Sequence, residues 1–295
     1  MRKISPLFLG LSLAVSAISM AAAQDQPSTT TKPPKYIQVT VEYTKPGKGG
    51  LAHDKTESAY VQAMAKAKFP INYYAFNSMS GKPRAIYISG FDSFGELGKA
   101  NKIFDAPGIA ASIEPLNVAD GELLEDSNQI IFSYVGDLSL RPGPDLLHMR
   151  FLEADIVHVR QGHGKEFHEL AKMWVDLWQK AGTSAHWDAF EAQYGEDGGY
   201  FVFLTADKSL DDVDTGFADN DKLDGILTDE EKKKMRELRA AAIEEDRTEL
   251  YSLNPAQSYV PDSFIKADPG FWKPKSGAAA KPAAKPATDD KKAKP

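Results

Sequence analysis

The residues Tyr74-Ala75-Phe76-Asn77, a glycine turn at Gly81 and the apolar run Ala85 to Ser89 recur further along as Asp188-Ala189-Phe190-Glu191, Gly195 and Tyr200 to Leu204. Each copy has a charged helical stretch ahead of its first run and an Asp-rich stretch after its second. Repetition at this scale means that one supersecondary unit is used twice. It sets the architecture before any motif is considered.

Outward from the first run, Tyr36 to Tyr43 alternates Ile37, Val39 and Val41 with Gln38, Thr40 and Glu42, a strand period. The turn Pro46-Gly47-Lys48-Gly49-Gly50 leads to a helix over about His53 to Lys68, ended by Pro70. Strands over Asn72 to Met79 and Arg84 to Gly90 follow. Helices at Phe94 to Phe104 and near Asp120 to Asp126 then lead to a strand over Gln129 to Val135. The second copy has a strand over Leu152 to Arg160 and a helix over Lys165 to Lys180. Phe167, Leu170, Trp174, Leu177 and Ala181 share one face of that helix. Strands over Ala185 to Tyr194 and Tyr200 to Thr205 follow, then helical turns in the acidic run from Asp211. Thr228 to Glu231 is a capping box opening a helix to about Glu245, and Thr248 to Leu253 is a last strand. The expected class is α+β: two tandem ferredoxin-like β-α-β-β-α-β repeats, residues 36–145 and 146–262, with their bare aromatic sheet faces packed together.

The flanks differ in kind. Met1-Arg2-Lys3, an apolar core from Leu7 to Met20 and Ala21-Ala22-Ala23 read as a signal peptide over 1–23, which predicts an exported, periplasmic or secreted protein. Residues 24–35 read as a disordered linker and 263–295 as a disordered Lys/Pro/Ala-rich tail. That tail holds seven lysines and two aspartates from Lys273 onward, although the whole chain carries a net charge of -7, so the body is strongly acidic. An acidic body argues against nucleic acid as a partner. The chain has no cysteine. Its stability must come from an apolar core, and thiol chemistry is excluded.

The passages Val39 to Glu42 with Pro46-Gly47-Lys48, and His158-Val159-Arg160 with His163-Gly164-Lys165-Glu166-Phe167, carry a resemblance together with the Ala-Phe strand and its glycine turn. The pattern resembles the dimeric α/β-barrel superfamily, with its antibiotic-biosynthesis-type monooxygenases, EthD-like and NIPSNAP-like proteins. The resemblance implies an intramolecular dimeric α/β-barrel, a fused pseudo-dimer able to stand as a monomer. It also implies a ligand pocket between sheet and helices. Some members oxidise polycyclic substrates without a cofactor and related barrels bind haem, but no catalytic residue transfers to this sequence.

Candidate chemistry falls where the copies differ. His158 replaces an apolar residue near Val41, and a histidine on a sheet face suits a general base or a substrate hydrogen bond. His186 and Asp188 share one strand face by period two, with Asn72 and Tyr74 at the matching places. A carboxylate beside an imidazole can orient it and raise its basicity. Tyr74 and Trp187 add aromatic surface to this candidate pocket. His158, His163 and His168 do not share a setting that would converge on a metal. In the run from Asp219, glycine falls one place late for a calcium loop. Neither a metal nor a cofactor is expected.

Three functions remain: a binder of a small apolar or aromatic ligand, a cofactor-independent monooxygenase-like enzyme, and a noncatalytic envelope interaction protein acting through its basic tail. The sequence leaves open whether the protein is an enzyme.

Overall fold

The computed structural model describes residues 32–223 and 225–273. The signal-like segment, most of the expected linker and the Lys/Pro/Ala repeat lie outside the described residues. The first half runs β1 (Tyr36–Thr44), α1 (Leu51–Ala67), β2 (Tyr73–Ser78), β3 (Arg84–Phe91), α2 (Phe94–Phe104), α3 (Pro107–Gly121) and β4 (Leu124–Tyr134). After a 3₁₀ turn, Gly136–Leu138, the second half runs β5 (Phe151–Val159), α4 (Gly164–Ala181), β6 (Asp188–Tyr194), β7 (Tyr200–Asp207), α5 (Leu210–Leu223), α6 (Asp229–Ala242) and β8 (Ile243–Leu253). Two short helices follow, α7 (Asp262–Ala267) and α8 (Pro269–Trp272).

All eight strands form one closed antiparallel barrel in the order β1-β3-β2-β8-β5-β7-β6-β4. The halves have the same internal order, β4-β1-β3-β2 and β8-β5-β7-β6, and a bulge at the same point, Tyr43/Thr44 against β4 and His158/Val159 against β8. They meet edge to edge as well as face to face: β2 pairs β8 from Phe76↔Leu253 to Ser78↔Tyr251, and β4 pairs β6 from Ile131↔Tyr194 to Tyr134↔Phe190. The β4–β6 seam requires a residue without a Cβ at Gly195. Its φ is +90°, and a Cβ there would lie 2.1 Å from the Gln129 carbonyl oxygen.

Strand alternation sorts the side chains. Ile37, Val39 and Val41 of β1 and Leu152, Ala154 and Ile156 of β5 join Phe76, Phe132, Phe190 and Tyr251 in one core inside the barrel. Val157 and Val159 point outward instead and pack with Phe167 and Ala171 of α4. The outer face of the second half is therefore apolar where the helices cover it. The expected capping box is present, with Thr228 and Glu231 satisfying each other's backbone at the start of α6.

Four boundaries depart from the sequence reading. The helix expected at Asp120 to Asp126 runs over 107–121 instead. Pro107 opens it and Pro115 sits inside it, while Leu124 to Ser133 are held as strand by their register with β1. The acidic run from Asp211 is one continuous helix rather than separate turns. Helix α6 stops at Ala242 because the following residues pair with β5. Residues 263–273, expected to belong to the disordered tail, are ordered: Trp272 is 4% exposed and its indole N–H donates to the Leu147 carbonyl at 3.0 Å.

Helices α7 and α8 therefore cover the barrel interior, with Phe264 tilted against Tyr74 and Trp272 meeting it edge-on. Trp272→Ala should cost about 3–5 kcal/mol. Calorimetry should then show a fall of roughly 10 °C in Tm. A Tm unchanged to within a degree would mean that this segment is an appendage and not part of the core.

Candidate functional site

The five residues singled out from sequence do not converge. Tyr74 lies inside the barrel against Phe264 and Trp272, so it is a core residue and not a pocket wall. His158 sits where β5 leaves the barrel, its ring 6.5 Å from that of Tyr200 and its Nδ1 3.5 Å from Glu244. Its counterpart by register is Tyr43, which faces Arg84 as His158 faces Tyr200, and not Val41. His186 and Trp187 do share a cavity. Asp188 does not line it, since β6 begins only at Asp188 and the period-two argument fails for the irregular residues before it. Asp188 instead accepts from the Gly143 N–H at 3.3 Å. Burial pushes its carboxyl up to about 6, although that hydrogen bond and the nearby His186 act to lower it.

The cavity holds about 800 Å³ between the outer face of β5 and β7 and helices α4 and α5. Its walls are Phe167, Trp174, Trp178, Trp187 and Phe203. Trp187 is held by an N–H bond to the Leu138 carbonyl at 2.8 Å and by an edge contact with Trp178. Rigid aromatic walls with a few polar groups are the usual make-up of a small-molecule site.

Charged groups also line the cavity, among them Asp145, Asp155, Asp212, Arg239 and Arg247, and two carboxyls, Glu153 on β5 and Asp207 on β7, form a pair. The register pairs Phe151 with Asp207 and Glu153 with Thr205, which sets the two carboxyls diagonally on one face. Asp207 is 5% exposed, and its Oδ2 has no hydrogen-bond donor. Burial, then the charge of Asp207, raises Glu153 to about 7. Burial, then Asp212, raises Asp207 to about 7 despite its contact with Glu153. Two carboxyls this close disfavour ionising together, so burial and their mutual charge favour the protonated form of the pair. His186, with Nε2 3.0 Å from the Ala206 carbonyl, borders the same space.

The first half uses the corresponding space differently. Glu42 of β1 and Tyr87 of β3 stand where β5 and β7 have Val157 and Phe203. Glu42 is joined by His53 and Glu57 of α1 and Asp120 of α3, and one donor atom from each of these four lies within 4.8 Å of the others. His53 Nε2 is 3.1 Å from Glu42 and 3.4 Å from Asp120, while the Thr56 hydroxyl donates to Asp120 at 3.0 Å. Burial and the charges of Glu42 and Asp120 push Glu57 up to about 9. Burial acts to lower His53, but the hydrogen bond it donates to Glu42 and the surrounding carboxylates outweigh it and raise its pKa. No metal was expected from sequence; this set has the donor types for one. The helical spacing of His53 and Glu57 was a legible signal that the reading of the later histidines passed over.

No family model matches the chain, and no curated protein matches it. Among solved structures it is similar to a putative monooxygenase from Fusobacterium nucleatum, with 11% identity, 76% of this chain and 94% of that one covered, and a TM-score of 0.48. An anthrone oxidase-like protein matches at 13% identity over 75% and 92% of the two chains, with a TM-score of 0.46. A mutant chlorite dismutase from Candidatus Nitrospira defluvii matches at 7% identity over 82% and 99%, with a TM-score of 0.47. At these values the chemistry is argued from the chain's own residues.

Raised carboxyl pKa values carry a definite sign. Folded Glu153 and Asp207 keep protons that the unfolded chain has lost above pH ~4.5, so their stabilisation is complete below that pH and declines as pH rises through about 7. Asp207→Asn should remove on the order of 2 kcal/mol of the stability loss between pH 5 and pH 8. Denaturant titrations of both proteins at the two pH values measure it. An unchanged slope would show that the pair does not hold the proton.

Proposed function

We propose that the protein binds a small, flat, largely apolar molecule in the cavity between β5, β7, α4 and α5, with the Glu153/Asp207 pair and His186 meeting its polar edge. One observation carries this reading: a space of about 800 Å³ lined by aromatic side chains and holding a carboxyl pair, half-buried Glu153 and buried Asp207, both raised to about 7. Burial against Trp174, Trp178 and Trp187 supplies affinity, and carboxyls able to donate or accept supply orientation.

The carboxyl pair also favours an enzymatic reading, in which it exchanges a proton with the bound molecule as general acid and base. The monooxygenase-like alternative belongs with this reading. The architecture is read as two ferredoxin-like repeats fused into an intramolecular dimeric α/β-barrel, supported by the identical strand orders and coincident bulges. A monomer is the state this fusion favours. Export is proposed from residues 1–23 alone. Among the described residues no helix is long and apolar enough to cross a membrane.

Gly216 provides a clean test. It lines the cavity from α5, and a Cβ added there meets nothing within 4 Å. Gly216→Phe should fill the space without loss of stability and weaken binding of a fluorescent probe such as anilinonaphthalene sulfonate at least tenfold, read by energy transfer from tryptophan. Equal probe affinity in parent and variant would count against the cavity as the site. If the probe binds but a panel of polycyclic phenols is never turned over, the enzymatic reading fails and the binding one stands.

A further inference from the structure

We propose that the first half contains a divalent cation site formed by Glu42, His53, Glu57 and Asp120. It lies in the opposite half of the barrel from the proposed ligand cavity and does not depend on it.

The first argument is the donor set. One imidazole and three carboxylates from β1, α1 and α3 bring four ligand atoms within 4.8 Å of one another. Bonds of about 2.0–2.2 Å to a first-row ion put neighbouring ligands roughly 3–4 Å apart, so the site need only close slightly around the ion. Mixed imidazole and carboxylate ligation suits Mn²⁺, Fe²⁺ or Zn²⁺.

The second argument is polar accounting. Three carboxyl groups face one imidazole, the Thr56 hydroxyl and the Tyr87 phenol. Glu57 is 5% exposed and Tyr87 9% exposed, yet Glu57 Oε1 and Tyr87 Oη each have no hydrogen-bond partner. Tyr87 lies close enough to Glu57 for the two to act on each other, yet neither of these atoms reaches a partner in good hydrogen-bond geometry. Buried polar atoms left unmatched are costly, and a cation at the centre would take up carboxylate oxygen that no donor now satisfies.

The third argument is the surroundings. His53 and Asp120 are 2% and 4% exposed, so the cluster is no chance gathering of surface acids. Only the Glu42 side chain keeps notable exposure, 15%, which gives an ion a route inward. Thr56 holds Asp120 from behind, as a group supporting a ligand should. The second half has Val157 and Phe203 at the positions of Glu42 and Tyr87, so general barrel packing does not require the cluster.

The test uses the full chain without an affinity tag, stripped with chelator and titrated with MnCl₂ or ZnCl₂ alone by calorimetry, with Tm measured in parallel. One ion should bind per chain and raise Tm. Glu57→Gln and Asp120→Asn, both near-isosteric, should each weaken binding at least tenfold, with native circular dichroism in at least one of them. Asp211→Asn, at an exposed position in the other half outside the cavity lining, should bind as the parent does. Failure of both ions to bind overturns the proposal. So does binding unchanged in both cluster variants, or binding lost in Asp211→Asn.

Discussion

The structure depends on leaving no strand edge open. A four-stranded sheet such as β4-β1-β3-β2 has two exposed edges, and unpaired backbone groups there invite aggregation. Here the edges of one half meet those of the other: β2 joins β8 and β4 joins β6. Bonds beyond the strand ends extend both seams, from Asn254 N–H to the Ala75 carbonyl and from Val135 N–H to the Ala189 carbonyl. Closure gives every strand an inner face on one common core and an outer face under helices. Sites can then form in the two outer layers, one in each half.

The halves use those layers in opposite ways. In the second, Val157, Phe167 and Phe203 set apolar surface beside an open cavity that charged groups, Glu153 and Asp207 among them, also line. In the first, Glu42 and Tyr87 take the corresponding strand positions and the space is closed over buried carboxyls. A buried carboxylate is tolerated only with a proton, a donor or a cation. One scaffold thus carries a ligand-shaped space and an ion-shaped one without either disturbing the core between them.

Much of this frame was legible in the chain. Strand alternation and the glycine turn at Gly195 marked the hairpins, and the Thr228 capping box marked α6. Pro115 inside α3 interrupts its helical pattern, and the composition of residues 263–273 hides the single buried anchor at Trp272. The candidate site was harder to see. Glu153 and Asp207 meet only through the antiparallel register of β5 and β7, which no local motif encodes. His186 and Trp187 line one cavity, but a pairing of His186 with Asp188 needs a strand that begins before Asp188. Tyr74 and His158 stood out as differences between copies, and the barrel uses them for packing and for its mouth.

Native-state hydrogen exchange at the seams tests the central claim, that two half-sheets form one closed cooperative barrel. Asn254 and Val135 amides should open with the same free energy and denaturant dependence as amides in the middle of β1 and β5, as members of a single unfolding unit do. Seam amides that exchange through a separate, lower-energy opening while the interiors of both halves stay protected would contradict it.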